Sequence, residues 1–261
     1  MKIAVLIKQV PDCDKVKIDP QKGTMIRNGT GNIINPLDLN AIQAALDIKR
    51  AFGAQIDVIS MGPLQAEDAL REAMALGADN IYLLSDKFFA GADSWSTSLT
   101  ISKALVKIGS YDLIIAGEKA TDGETGQVGP EVAAILGIPC ATYVSELALS
   151  KNFVVVTRTI EDGLEKQRIT MPCLITVLNN INDPGMPTLN GKKMARRANI
   201  NVLTAKDLNL TKDETGLSGS PTRVVKISHP KLTRETKFFS GKELDCGIEH
   251  VVAILHDIAA I

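Results

Sequence analysis

Leu113-Ile-Ile-Ala-Gly-Glu-Lys-Ala-Thr-Asp-Gly-Glu-Thr-Gly-Gln-Val-Gly-Pro130 runs from an apolar stretch into a glycine-rich loop. Leu113 to Ala116 has the continuous apolar character of a strand buried on both faces. Val128 to Leu136 then has the spacing of a helix. A strand that feeds a glycine-rich loop and then a helix is suited to holding a phosphate. Glycine lets the backbone approach closely, and the free N–H groups of the first helical turn point at the anion. Gly123, Gly126 and Gly129 do not follow the dinucleotide spacing G-x-G-x-x-G, and no Gly-Lys-Ser/Thr ends the loop as in a Walker A motif. The stretch therefore points to a nucleotide without pointing to either of those fold families.

Outward from this loop, strand and helix patterns alternate. Lys2 to Lys8 is expected as a first strand. Thr24 to Arg27 and Asn32 to Ile34 are expected as a hairpin around Asn28-Gly29. Asn35 is placed to cap a helix with Pro36 at its first position, running to Phe52 and stopped by Gly53. Strands follow at Gln55 to Met61, Ile81 to Leu84 and Tyr111 to Ala116. Helices lie between them at Leu64 to Leu76 and from Asp93 or Ser94 to Ile108. This order predicts an α/β fold: a doubly wound, mostly parallel sheet between two layers of helices, Rossmann-like in its three layers. Ligands of such sheets sit beyond the C-terminal ends of the strands. The loops at Lys8 to Pro11, Met61 to Pro63, the segment up to Asp93, and the glycine-rich loop all leave those ends.

After Gly137 the pattern changes. Ala141 to Leu149, Asn152 to Ile160 and Leu164 to Thr170 are β-rich, with Asp162-Gly163 as a hairpin turn, and Cys173 to Leu178 is a further strand. Asn179 to Arg197 holds prolines, glycines and the basic residues Lys192, Lys193, Arg196 and Arg197, and does not look like core. Asp207 to Thr222 is polar and expected as a linker. Val224 to Ile227 is a strand candidate. Ser240 and Glu243 suggest a capping box for a last helix through Ala260. Its apolar positions Leu244, Ile248, Val251, Val252, Leu255 and Ile258 need a cover. The chain thus divides into a nucleotide-binding domain at 1–205 and a C-terminal linker and helical arm at 206–261.

Composition sets bounds. The chain has 261 residues and a formal net charge of −1, which argues against a general nucleic-acid or membrane-surface binder. No apolar run is long enough to span a membrane, and the start reads as a strand rather than a signal peptide. The scattered Cys13, Cys140, Cys173 and Cys246 suggest reduced thiols in a cytoplasmic protein. The three histidines form no metal-binding motif. No nucleophile–base pairing is visible. Asp122 and Glu124 suit turn formation and the helix dipole better than acid–base work. Thr125 and Gln127 have groups for phosphate or ribose, with ordinary helix capping as the alternative for Thr125. Lys8 and Lys119 could neutralise phosphate charge or simply be solvated.

Lys8-Gln-Val-Pro-Asp12, Asn35-Pro36, Ser60-Met-Gly-Pro63, Ala75-Leu-Gly-Ala-Asp79, Asp93 and Asp122-Gly-Glu-Thr-Gly-Gln-Val-Gly-Pro130 resemble, in order and spacing, the beta subunit of electron transfer flavoproteins. Asp162-Gly163, Met171-Pro172 and the stretch from Asn182-Asp-Pro184 to Arg197 extend the resemblance to nearly the whole chain, with least definition after Leu208. It implies pairing with an alpha subunit that holds an FAD, through a contact for which the C-terminal helix is a candidate. It also implies a second adenine nucleotide in this chain: AMP in housekeeping members, FAD in electron-bifurcating ones. Carried over by position, the nucleotide would touch Leu6, Lys8, Asn35, Pro36, Leu37, Asp38, Met61 and Gly62. It would also touch Gly117, Glu118, Lys119, Ala120, Thr121, Asp122, Gly123, Glu124, Thr125, Gly126 and Gln127. No catalytic residue or metal is implied.

The start of the chain and the compact loop at Thr121 to Thr125 are similar to the bifurcating group, so FAD is the expected cofactor and AMP the alternative. In that group the bound FAD takes a hydride from NADH and passes electrons through the alpha-subunit FAD to or from a flavin dehydrogenase, with ferredoxin as the low-potential acceptor. The chain would be a redox subunit rather than a stand-alone catalyst. The same resemblance makes 182–197 a partner-docking loop with Leu189 as its apolar anchor and Lys192, Lys193, Arg196 and Arg197 as a basic rim. Asp183-Pro-Gly-Met-Pro187 departs from the arginine and aromatic that commonly follow the proline, which points away from the commonest acyl-CoA dehydrogenase partner. Outside the family, a stand-alone AMP or ATP sensor of the universal-stress type shares such a sheet. An ATP pyrophosphatase would need Ser-Gly-Gly-x-Asp-Ser after the first strand, where this chain has Lys8-Gln-Val-Pro11.

Overall fold

A computed structural model describes residues 1–12, 17–18, 25–26, 31–225 and 236–257. Its strands and helices follow in chain order as β1 (Lys2–Ile7), β2 (Gln9–Pro11), β3 (Lys17–Ile18), β4 (Met25–Ile26), β5 (Asn32–Ile34), α1 (Pro36–Phe52), β6 (Gln55–Met61), α2 (Glu67–Leu76), β7 (Asn80–Leu84), α3 (Ser94–Ile108) and β8 (Leu113–Gly117). They continue as α4 (Val128–Leu136), β9 (Cys140–Leu149), β10 (Phe153–Ile160), β11 (Gly163–Thr170), β12 (Cys173–Val177), α5 (Leu189–Arg197), β13 (Asn201–Leu203), α6 (Gly216–Gly219) and α7 (Leu244–Asp257).

Nine strands form one sheet in the order β11-β10-β9-β12-β8-β1-β6-β7-β13. From β9 to β13 every neighbouring pair is parallel, and β10 pairs antiparallel with both β9 and β11. The chain winds one way from β1 through β6 to β7, then returns to the other side of β1 with β8 and β12. This reversal places a switch point between β1 and β8. The alternation along β1 separates two cores. Ile3, Val5 and Ile7 pack with Ala41, Ile42 and Ala45 of α1 and Leu70 of α2. Ala4 and Leu6 pack with Ile101 and Leu105 of α3 and Val132 of α4 on the opposite face. Successive residues of a strand point to opposite faces, so an unbroken apolar run is what a sheet covered on both sides requires.

Three expectations are corrected. β5 pairs with β2 and β4 with β3, so the two short strands do not form a hairpin with each other. Asn28-Gly29 lies outside the described residues. The stretch from Asn179 to Arg197 is not all loop, because α5 occupies its second half and packs on α2. The polar segment 207–222 is no linker. Leu208 and Leu210 join Ala205 in the second core, within the compact first unit Met1–Arg223. Its polar groups are satisfied internally. The Asp93 carboxylate accepts from the Thr222 N–H at 3.0 Å and the Thr222 hydroxyl at 2.8 Å, while the Ser220 hydroxyl accepts from the Asp93 N–H at 2.8 Å.

The second unit, Val224–Ile261, contains α7. Val224 and Val225 carry no strand, and the rest of that candidate lies outside the described residues. The Ser240 side chain makes no capping hydrogen bond, and only its carbonyl receives the Glu243 N–H, at 3.2 Å. Leu244, Ile248, Val251, Val252 and Ile254 of α7 are exposed in the chain alone. No helix is long and apolar enough to cross a membrane among the described residues. Cys140, Cys173 and Cys246 are free thiols, and Cys13 lies outside the described residues. No group of three or more His, Cys, Asp and Glu side chains among the described residues could hold a metal.

Candidate functional site

β1 and β8 end side by side at the switch point, and α1 starts there. Asn35, at the α1 N-terminus, was expected as a side-chain cap. It makes no capping hydrogen bond. Its fully buried side chain reaches across to the glycine-rich loop instead. Nδ2 donates to the Lys119 carbonyl at 2.9 Å, and Oδ1 accepts from the Thr121 N–H at 3.1 Å. Its own N–H donates to the Lys8 carbonyl at 2.9 Å. Three residues on, Asp38 is also buried. Its carboxylate accepts from the Lys8 N–H at 2.7 Å and from the Gly117 N–H at 3.2 Å. Burial pushes this carboxyl up to about 7, against hydrogen bonds from Asn35, Lys8 and Gly117 and the Lys8 charge, which all favour the ionised form. Gly117 must be glycine, because a Cβ there would lie 2.4 Å from Asp38 Oδ1 and 2.8 Å from the Leu37 carbonyl carbon.

The loop itself is a tight turn followed by an open arm. The Gly123 and Glu124 N–H groups fold back on the Ala120 carbonyl at 3.3 and 2.8 Å. Glu124 and Gly126 both take left-handed backbone, with φ of 53° and 64°. Asp122, Gly123, Glu124, Thr125 and Gln127 are exposed, whereas Glu118, Lys119, Ala120, Thr121 and Gly126 are half-buried. α4 begins without a side-chain cap, so Thr125 does not perform that role. Gly129 lies on β12 so closely that a Cβ would meet Thr176 Cγ2 at 2.6 Å. This fixes where the open end of α4 points. Ser94 donates to Gln127 Oε1 at 3.2 Å and to Glu131 Oε1 at 3.1 Å, and Ser98 to Glu131 Oε2 at 2.8 Å. These hydroxyls join the starts of α3 and α4.

Lys8 is not a free cation. Its Nζ pairs with Asp122 at 2.7 Å across the mouth of the cleft. Met61 and Gly62 end β6, the neighbour of β1, and both are half-buried. Pro36 is exposed and Leu37 half-buried on the first turn of α1. Leu6 is buried in the α3 and α4 core two residues short of the cleft. Side by side at this end of the sheet, Lys8, Asn35 and Asp38 are bonded to Gly117, Lys119, Thr121 and Asp122 of β8 and the glycine-rich loop. The specific roles of Asn35 and Asp38 were missed by reading the sequence. Hollows of about 240 and 330 Å³ lie instead beside α1 and β9, and between α2 and α5, and neither is lined by a residue of this cleft.

The residues expected to dock a partner lie on α5, apart from the ends of β1 and β8. Leu189 opens α5 with 89% of its surface exposed, and Met186 just before it is 91% exposed. Lys192, Lys193, Arg196 and Arg197 are exposed along the same helix. Thr188 caps α5 through the Gly191 N–H at 3.0 Å. Arg71 of α2 donates to the Ala195 carbonyl at 2.7 Å. Two buried side chains of α1 that the sequence did not single out hold the loop leading to α5. Asn40 Nδ2 donates to the Asn179 carbonyl at 3.1 Å and the Asn182 carbonyl at 2.9 Å, and Asn182 Nδ2 returns a bond to the Asn40 carbonyl at 3.1 Å. Gln43 Oε1 accepts from the Gly185 N–H at 2.9 Å.

The model of the electron transfer flavoprotein domain matches residues 22–208. The chain is 46% identical over 242 residues to the electron transfer flavoprotein subunit beta of Thermoanaerobacterium thermosaccharolyticum, covering 92% of this chain and 93% of that one. It is 43% identical to CarD, a subunit of the caffeyl-CoA reductase–Etf complex of Acetobacterium woodii, over 92% of each chain. It is 38% identical to the FixA protein of Azorhizobium caulinodans, over 90% of this chain and 86% of that one. The sheet with its switch-point loop, the match to the family model and relatives that share nearly their full length agree: the chain belongs to the electron transfer flavoprotein family, among its beta subunits.

Proposed function

We propose that this chain holds FAD in the strand-end cleft and works as the beta subunit of an electron-bifurcating flavoprotein. The single observation that carries the nucleotide reading is the glycine-rich arm at the switch point. It has two left-handed residues, and it leads into an α4 N-terminus with no side-chain cap. Such an arm presents backbone N–H groups and a helix dipole to an anion. The residues present fit a nucleotide. A Cβ at Gly123 would meet nothing within 4 Å, so the arm is open where a phosphate would approach. Lys8 and Asp122 stand at its mouth, and a phosphate would compete with Asp122 for the Lys8 ammonium. When bound, FAD supplies hydride acceptance from NADH and the release of its two electrons, one to a high-potential and one to a low-potential acceptor. The chain's own part is to bind, orient and shield that group.

AMP is the second reading, because the same arm would hold its phosphate equally well. The Lys8-Gln-Val-Pro-Asp12 start and the compact loop favour FAD. The partners proposed are an alpha subunit with its own FAD, meeting the exposed apolar face of α7, and a flavin dehydrogenase, meeting α5. CarD, by its name, is a subunit of a reductase–Etf complex, which supports a dehydrogenase-type partner here. Leu189 would enter a pocket of that partner as an anchor, with the basic residues of α5 as a rim. Ferredoxin is proposed as the low-potential acceptor and the cytoplasm as the location.

Gly126→Val tests the cradle. A β-branched residue at φ 64° strains the arm and removes its approach. The variant, purified with its alpha subunit, is expected to lose most of its beta-subunit nucleotide, measured by extraction and chromatography. Unchanged retention would mean that this loop is not where the phosphates bind.

A further inference from the structure

In a doubly wound sheet, backbone N–H groups at the switch point are ordinarily available to a ligand. Here two of them are taken by the protein itself. Lys8 N–H donates to Asp38 Oδ2 and Gly117 N–H to Asp38 Oδ1, so one carboxylate spans the ends of β1 and β8 with both of its oxygens. The two strand ends come from positions 30 and 79 residues away from Asp38 in sequence. This arrangement needs an acceptor on each oxygen. A protonated carboxyl carries a hydrogen on one of them, which turns that oxygen into a donor and a much weaker acceptor. Burying a carboxylate costs stability unless another benefit offsets the cost. Packing alone gives none here, because a neutral side chain of the same size would fill the space.

We propose that Asp38 is a positioning residue of the cleft rather than the nucleotide contact expected from the family resemblance: with both oxygens engaged by Lys8 and Gly117, its ionised carboxylate staples β1 to β8 and sets the distance between Lys8 and the glycine-rich arm. The inference rests on the nucleotide reading of the cleft. Asn35 supports the staple from the same helix by holding the arm at Lys119 and Thr121. The groups acting on Asp38 are the Asn35 side chain from the start of α1, the Lys8 N–H and ammonium from the end of β1, and the Gly117 N–H from β8. Lys8 is itself engaged by Asp122 from the arm. Because burial raises the Asp38 carboxyl to about 7, protonation between pH 8 and pH 6 weakens one side of the staple.

The test uses the full-length chain purified with its alpha subunit, and FAD and AMP as probes. On going from pH 8 to pH 6, wild-type affinity for both nucleotides is expected to fall roughly tenfold, the effect of losing one charge-assisted hydrogen bond. Hydrogen-exchange protection at the Lys8 and Gly117 amides falls with it, while Val5 and Ile115 in the same strands keep theirs. In Asp38→Asn the affinity is already low at pH 8 and no longer depends on pH. Wild-type affinity and protection that do not change with pH would overturn the proposal, even if the variant fails to fold. Loss of protection along the whole of β1, Val5 included, would show a structural role only and would also overturn it. Wild-type protein that takes up neither nucleotide at pH 8 overturns the nucleotide reading together with this role. The protection of Lys8 and Gly117 separates that outcome from failure of the staple alone.

Discussion

Gly117 and Asp38 decide together how the two central strands end. A methyl group at Gly117 would collide with the Asp38 carboxylate and the Leu37 backbone, neither of which is the far end of a flexible chain. Gly117→Ala is therefore expected to destabilise the fold by about 1–3 kcal/mol, the usual range for overpacking, as read from urea unfolding. Asp38 adds a pH dependence with a definite sign. Its folded-state value, about 7, lies above its ordinary 3.8, so the folded chain holds the extra proton between those values. The linked stability is fully present below about pH 4 and is lost as pH rises through 7. Wild type should thus gain stability relative to Asp38→Asn when melting is followed from pH 8 down to pH 5. A difference that stays flat would show that the carboxyl is not raised. These roles were not legible in the sequence. Asn35-Pro36 looked like an ordinary helix start, and its partners at Lys119 and Thr121 lie more than 80 residues away. Local pattern can name a capping residue, but it cannot see a bond that only tertiary structure brings within reach.

Among the elements, those with strong periodicity were readable. The unbroken apolar runs of β1 and β8 and the α3 start capped by Asp93 all reappear in the structure. The failures have one cause. Segments with few apolar residues look like loops even when hydrogen bonds hold them. The stretch 207–222 is the clearest case, tied down by Asp93, Ser220 and Thr222 around a few buried leucines. The loop before α5 is another, held by Asn40 and Gln43. Asn40→Ala removes bonds to the exposed Asn179 and half-buried Asn182 carbonyls, which water can then reach, and should cost about 0.5–1.5 kcal/mol. It is expected to weaken dehydrogenase coupling in steady-state assays while nucleotide content stays normal. Leu189→Ala should weaken coupling too, but without any loss of stability, because that side chain is almost wholly exposed. Loss of bound flavin in Leu189→Ala would refute its role as an anchor.

For the whole molecule, the doubly wound sheet and the family were legible before the structure, whereas the switch point between β1 and β8 came only with the strand order. For the cleft, the sequence points to FAD with AMP as the alternative, and the geometry of the arm does not separate the two. The reason is physical: an arm of backbone N–H groups recognises phosphate, which AMP and FAD share. The compact unit at Met1–Arg223 is expected to fold without residues 224–261, giving a cooperative melt, but not to retain the alpha subunit in size-exclusion chromatography. A truncated chain that still co-purifies with its partner would place the main contact elsewhere. The central claim is that this cleft holds a redox-active FAD, and the nucleotide content of the purified heterodimer tests it most directly. The account predicts a yellow complex that releases two FAD per heterodimer and is reduced by NADH. One FAD with one AMP, and no reduction by NADH, would contradict it.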